Sequence, residues 1–369
     1  MPDKTPLLIQ VVPQLKPGRC GVTDHAIPLA NELRSVFGIT SAFVVLNSKE
    51  KCDLLYKVSY CEAAQLLDCC LALSDGQPAA LLAHVSGYGY SPDGAPTRLA
   101  DALAKVRSDG RFAIGAFFHE ISASGAPWTT AFWHSHRQER TIRKIAELCN
   151  LMVTNISEHA RWLERQTASR AGAQIRLLPV FSTIGEARER IPAMKRDSIM
   201  AVFGLPGTRQ RAFKELTKST ELLSHLGIKS IVDIGAGAGF PGALKGVPVH
   251  HKGELGVAEL AEELTHARFG YLSYPANCLA KSSIFAAYCA HGAIPVIANP
   301  FPDEVDGLRD GVQVLSAATA GAALASGLDR CSEQGWQWYR AHGVRIHAET
   351  YAHWLKQCVP AHQVHEARH

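Results

Sequence analysis

No apolar run in the 369 residues approaches the ~18–20 needed to cross a bilayer as a helix. The run Leu7-Leu8-Ile9-Gln10-Val11-Val12 is too short and is stopped by Pro13. It reads as a first buried strand, not as a signal peptide. The ten cysteines include no CxxC pair, and Cys69-Cys70 is their closest spacing. That argues against a zinc site on spacing and for reduced core thiols of a cytosolic protein. Charge of one sign is scarce too: Lys and Arg number 38 against 34 Asp and Glu, a formal +4 with 17 histidines uncounted. A concentrated basic face of the kind that coats nucleic acid is not expected, while anionic small molecules suit this balance. Short-period repeats and low-complexity tracts are absent.

Apolar side chain is plentiful. Hydrophobic residues make up 47% and charged residues 20%, which supports sizeable cores and excludes global disorder. At ~150 residues per domain the length predicts two domains. Short β-branched runs alternate with amphipathic stretches. Strands are expected at Leu7–Val12, Ala42–Leu46, Ala79–Val85, Phe112–His119, Leu151–Thr154 and Ile175–Leu178, with helices between them. The stretch Ser182–Asp197 breaks the pattern with Gly185, Pro192 and mixed charge, and reads as a linker. Alternation restarts with strands at Ile199–Phe203, Lys229–Ile234, Val247–His251, Phe269–Ser273, Ala293–Ile297 and Val312–Leu315. The fold class is therefore α/β, with two Rossmann-like doubly wound domains. Their expected bounds are 1–181 and 198–330, followed by terminal helices over 331–359 that brace the domains and a polar tail over 360–369. Such sheets bind ligands beyond the carboxyl ends of their strands, so functional residues are expected in the loops that follow strands and face a central cleft.

Six loops deserve weighing. Gln14 to His25 places Gly18 and Gly21 around Arg19 just before a helix, where bare N–H groups attract anions or sugar hydroxyls. On this loop alone, a plain strand-to-helix turn capped by Thr23 or Asp24 is the simpler account. Ser86-Gly87-Tyr88-Gly89-Tyr90 joins flexible backbone to rings that stack on sugars, or is a packed Ω-type loop. His119 and Glu120 close an apolar strand, where unpaired polar groups are costly, so both need partners or a ligand. In Phe203 to Arg209, Gly207 allows a tight turn, Thr208 can cap the next helix and Arg209 can fork onto phosphate. Tyr274 to Ser283 ends in Lys281-Ser282-Ser283 at a helix start, which makes a diphosphate cradle or an ordinary serine cap. Gly235-Ala236-Gly237-Ala238-Gly239 follows a strand, as dinucleotide and S-adenosylmethionine loops do, though it comes second in its domain and Pro241 interrupts the helix. His250-His251 is no metal pair, since neighbours on a strand point to opposite faces.

Taken together, Gly18 to Thr23, Ser86 to Tyr90, Phe118-His119-Glu120 with Pro127-Trp128 and Ala131-Phe132-Trp133, and Tyr274-Pro275 through Lys281-Ser282-Ser283-Ile284-Phe285-Ala286-Ala287-Tyr288 with His291-Gly292 and Pro295-Val296 resemble GT-B glycosyltransferases. The resemblance is nearest to the family 4-like group of bacterial polysaccharide biosynthesis, and it spans nearly the whole chain. It implies an acceptor domain first, a nucleotide-sugar donor domain second, and no metal or cofactor. It implies donor binding by Arg209, Lys281, Ser282, Ser283, Tyr274, Gly207 and Thr208, catalytic roles for His119 and Glu120, and an acceptor or phosphate surface at Gly18, Gly21, Tyr88 and Trp128. The acceptor it implies is a sugar or a lipid-linked sugar; nucleic acid is not a partner. The location expected is the cytoplasm, with contact at the inner membrane face left open. One departure stands out: family 4 enzymes carry two glutamates eight positions apart here, whereas Lys281 to His291 holds no acidic residue. Two alternatives stay open at this point: a methyltransferase built on Gly235–Gly239, and a catalytically inactive sugar- or nucleotide-binding partner protein.

Overall fold

Aliphatic runs become strands wherever helices can cover both of their faces, and here that happens twice. The computed structural model describes residues 6–358 other than 49, 53, 123–129, 171, 238, 318 and 322–326. It divides into two units, Met1–Leu178 with Val344–His369, and Pro179–Gly343.

The first unit runs β1 (Leu7–Val12), α1 (Gly21–Phe37), β2 (Ser41–Val45), β3 (Lys57–Tyr60), α2 (Leu66–Ser74), β4 (Ala79–Val85), a single turn α3 (Gly87–Tyr90), α4 (Thr97–Asp109), β5 (Ala113–Phe118), α5 (Thr130–Leu148), β6 (Leu151–Thr154), α6 (Ser157–Thr167) and β7 (Gln174–Leu177). Its sheet has the order β3-β2-β1-β4-β5-β6-β7, all parallel. Alternation along β1 feeds two cores. Leu7, Ile9 and Val11 join Leu99, Leu103, Ile142 and Ile145 on one side. Val12 joins Ala26 and Ala30 of α1 on the other.

The second unit runs β8 (Asp197–Phe203), α7 (Pro206–Lys218), α8 (Thr220–His225), β9 (Ser230–Ile234), β10 (Ala243–Leu244), β11 (Val247–Gly253), α9 (Val257–His266), β12 (Ala267–Leu272), α10 (Ser283–Ala290), β13 (Ile294–Ile297), β14 (Leu315–Ser316) and α11 (Leu328–Arg340). Its order is β10-β11-β9-β8-β12-β13-β14, parallel except for the two-residue β10. Residues 182–197, read from the sequence as a linker, lie in this unit. There Arg190 pairs with Glu333 at 2.6 Å, and the buried Arg196 donates to the carbonyls of Ile191, Ala267 and His291.

The last helix, α12 (Val344–Cys358), belongs to the first unit and packs on α1. Its Trp354 is fully buried, and Gly115 in β5 makes the room: a Cβ there would stand 2.9 Å from the indole. No helix among the described residues is long and apolar enough to cross a membrane.

Candidate functional site

In both sheets the chain leaves the first strand in opposite directions, between β1 and β4 and between β8 and β12. Ligands of doubly wound folds bind at these switch points. In the second unit three loops meet there. The turn after β8 puts Gly204 at φ +128, and a Cβ on it would stand 2.9 Å from Ile284 Cδ1 in the first turn of α10. The loop after β9 opens with Gly235 at φ +140, whose absent Cβ would collide with the Gly204 carbonyl oxygen. These two glycines make the close approaches of the site, and Gly237 and Gly239 further along the second loop are left-handed as well. Gly207, expected to make the tight turn, is exposed, with nothing near its missing Cβ.

Arg209 lies behind these turns and is 1% exposed. Its Nε and Nη2 donate to Asp233 at 2.8 and 3.2 Å, and its Nη1 donates to the Ala236 carbonyl at 2.6 Å. The guanidinium also sits 4.3 Å from the Phe240 ring centre. The fork expected to face phosphate therefore holds Asp233 and the glycine loop. Asp233 takes a second partner, His251 Nδ1, at 2.9 Å. His250 beside it is exposed.

Lys281 ends a 3-10 turn, Ala276–Lys281, and is half-buried. Ser282 is buried and caps α10, its oxygen accepting from Phe285 N–H at 3.2 Å. Ser283 and Thr208 are half-buried, as is Tyr274, whose carbonyl accepts from Asn299 at 3.2 Å. The Gly204 contact with Ile284 therefore brings the β8 turn beside Lys281-Ser282-Ser283. The arrangement offers one lysine and the hydroxyls of Ser283 and Thr208 to an anion.

In the first unit Gly18 takes φ +71 and donates its N–H to Asp24 at 2.7 Å. Thr23 donates to the Gln14 carbonyl at 2.9 Å, so both expected caps are engaged in holding the loop. Gly21 begins α1 in open space. Tyr88 is 51% exposed, and its hydroxyl accepts from Gln138 at 3.3 Å. A cavity of about 370 Å³ lies beside these loops, lined by Asn47, Glu62, Tyr90, Ser91, Thr97 and Arg98 among others. Trp128 lies outside the described residues.

His119 follows β5 as expected, and its neighbour Glu120 is exposed. Sequence reasoning missed what surrounds His119. Its Nε2 lies 3.4 Å from His84 Nδ1 on β4, and its ring centre lies 5.4 Å from that of His25 on α1. His347 on α12 stands 5.4 Å from His25. His84 Nε2 in turn meets Gln10 Oε1 at 2.8 Å, and Gln10 donates to Ser41 at 3.2 Å. Burial and the neighbouring imidazoles hold His25 and His84 well below the ordinary histidine pKa, and bring His119 down to about 3. The signal was present in the sequence, since Gln10 and His84 each interrupt a fully apolar strand.

The fold is that of the GT-B glycosyltransferases. No protein-family model matches the chain, and no curated protein sequence matches it. Solved structures do. An alpha-glucosyltransferase in complex with UDP-glucose and abasic-site DNA matches with a TM-score of 0.59 at 13% identity, over 94% of this chain and 98% of that one. An alpha,alpha-trehalose 6-phosphate synthase from Burkholderia multivorans matches at 0.57 and 12%, over 96% of each chain. A putative UDP-N-acetylglucosamine 2-epimerase from Listeria monocytogenes matches at 0.58 and 9%, over 96% of each. These likenesses carry the fold. The glycine run belongs to the second strand of a second Rossmann-like unit, so the methyltransferase alternative, which needs a fold that starts at that strand, is not favoured.

Proposed function

We propose that this protein transfers a sugar from a nucleoside-diphosphate sugar to an acceptor hydroxyl. The observation that carries the reading is the contact of the β8 turn with the first turn of α10, which gathers Lys281, Ser283 and Thr208 at the switch point of the second sheet. Negative charge grows on the diphosphate as the glycosidic bond breaks, and fixed cations and N–H groups stabilise it without reorganising. In this reading Lys281 supplies the charge, Ser283 and Thr208 add hydrogen bonds, and Arg209 holds the glycine loop in place. His119 and Glu120 remain our candidates for contact with the reacting sugar. The solved structures with UDP or UDP-glucose support a nucleotide-sugar donor. The motifs quoted above support kinship with the family 4-like enzymes, with Lys281 standing in a segment where those enzymes carry acidic residues. The acceptor in this reading is a sugar or a lipid-linked sugar.

Thermal-shift titration with UDP, GDP, ADP, dTDP and S-adenosylhomocysteine tests this. A ligand at 100 times its dissociation constant adds about 2.7 kcal/mol to stability. One nucleoside diphosphate is expected to raise the melting temperature, and Lys281→Ala is expected to abolish that rise while the unliganded melt is unchanged. A rise with S-adenosylhomocysteine alone, or with none of the five, would sink the proposal.

A further inference from the structure

His25 on α1 and His84 on β4 have no part in the sugar transfer proposed above, and with His119 after β5 they are arranged as a ligand set. We propose that His25, His84 and His119 bind a transition-metal dication of the zinc class within the first unit. The inference does not rest on the function proposed above, although it shares His119 with it, and the ion is given no step in that function.

One nitrogen from each ring lies within 4.8 Å of the others. Two ligands of a tetrahedral zinc at 2.0–2.1 Å stand about 3.3 Å apart, and His84 Nδ1 and His119 Nε2 are 3.4 Å apart. That separation is longer than a good N–H hydrogen bond, so two lone pairs sharing an ion fit it better than one ring donating to the other. The outer contacts agree. Gln10 turns its carbonyl oxygen to His84 Nε2 at 2.8 Å and uses its amide nitrogen on Ser41. With the Gln10 carbonyl as acceptor, the matching tautomer of His84 carries its proton on Nε2 and turns a bare Nδ1 towards the cluster. Ligating histidines are characteristically fixed through the far nitrogen in this way.

The chemistry of the set selects the ion. Three imidazoles with no carboxylate or thiolate suit zinc, cobalt, nickel or copper, and not magnesium or calcium. Phe117 flanks both His25 and His119, with ring centres 4.4 and 4.5 Å away, and makes the surroundings apolar. His25 and His84 are buried while His119 is only partly so, which puts the entry path at the end of β5.

The test uses the untagged full chain, stripped with chelator and titrated with Zn²⁺ by calorimetry and with Co²⁺ by visible absorption. One ion per chain is expected, with the d–d bands of four-coordinate cobalt. His25→Gln and His84→Gln should each weaken Zn²⁺ binding at least 100-fold. Gln10→Leu should weaken it 10–100-fold, as outer-contact losses do. A His250→Ala/His251→Ala control should bind as the parent does. X-ray absorption of the zinc-loaded parent, which needs no variant to fold, should count three imidazoles. Fewer than three, no 1:1 binding, or unchanged affinity in both histidine variants would overturn the site.

Discussion

Removing Asp233 isolates a buried guanidinium, and the outcome follows from the geometry around Arg209. Both partners are at most 2% exposed, two of the guanidinium N–H groups end on the carboxylate, and a third ends on the Ala236 carbonyl. Asp233→Ala leaves Arg209 charged in a dry site with no counter-ion. Breaking one side of such a pair costs about 3–5 kcal/mol. For a unit of this size each kcal/mol lowers Tm by about 2–4 °C, so the second unit should melt about 6–20 °C earlier. Differential scanning calorimetry of the full chain resolves this as a shift of one transition. The double variant Arg209→Met/Asp233→Leu is expected to be far milder than Asp233→Ala, because replacing both charges with apolar groups removes the desolvation cost as well. A loss below about 1 kcal/mol in Asp233→Ala would refute the reasoning, since that is the range of a solvent-screened pair.

Two further outcomes follow from the packing. Trp354→Ala empties the space over Gly115 and should cost about 3–5 kcal/mol; calorimetry should assign the loss to the first unit, although residue 354 lies near the end of the chain. His291, buried at the end of α10, is held below the ordinary histidine pKa by burial, with Arg196 acting in the same direction and a hydrogen bond to the Ala287 carbonyl opposing it. The unfolded chain takes up this proton near the ordinary value of about 6.5 and the folded chain does not. Stability from this group is therefore complete above that pH and is lost as pH falls below it, with a slope of at most about 1.4 kcal/mol per pH unit. Urea unfolding of His291→Gln between pH 7 and 5 should show a shallower decline than the parent, and an identical decline would count against the assignment.

The strands were legible because burial on both faces leaves an uninterrupted aliphatic run: β1 and β4 fall on Leu7–Val12 and Ala79–Val85, the residues expected. The edge strand β3 was not expected, because Lys57-Val58-Ser59-Tyr60 is half-exposed and lacks that run. Local spacing pointed to loops at the carboxyl ends of strands, but not to the partners that the fold brings to the side chains inside them. Arg209 reads as a phosphate fork until the fold brings Asp233, 24 residues away, into its plane. Gly207 reads as the tight turn until the strand direction places the strain on Gly204. The histidine cluster draws on positions 25, 84, 119 and 347, a set that no window of sequence contains. Only the sheet order and the return of α12 to α1 assemble it.

That return has a consequence for synthesis. The chain enters the second unit at Pro179 and does not come back until Val344. At 5–20 residues per second, a ribosome needs roughly 10–30 s for the intervening stretch of about 165 residues. Throughout that interval the face of β5 around Gly115 lacks the indole that fills it, and by its end everything the second unit requires has been made. The unit that begins first is therefore completed last, and chaperones acting on the nascent chain would find their client at its amino-terminal end.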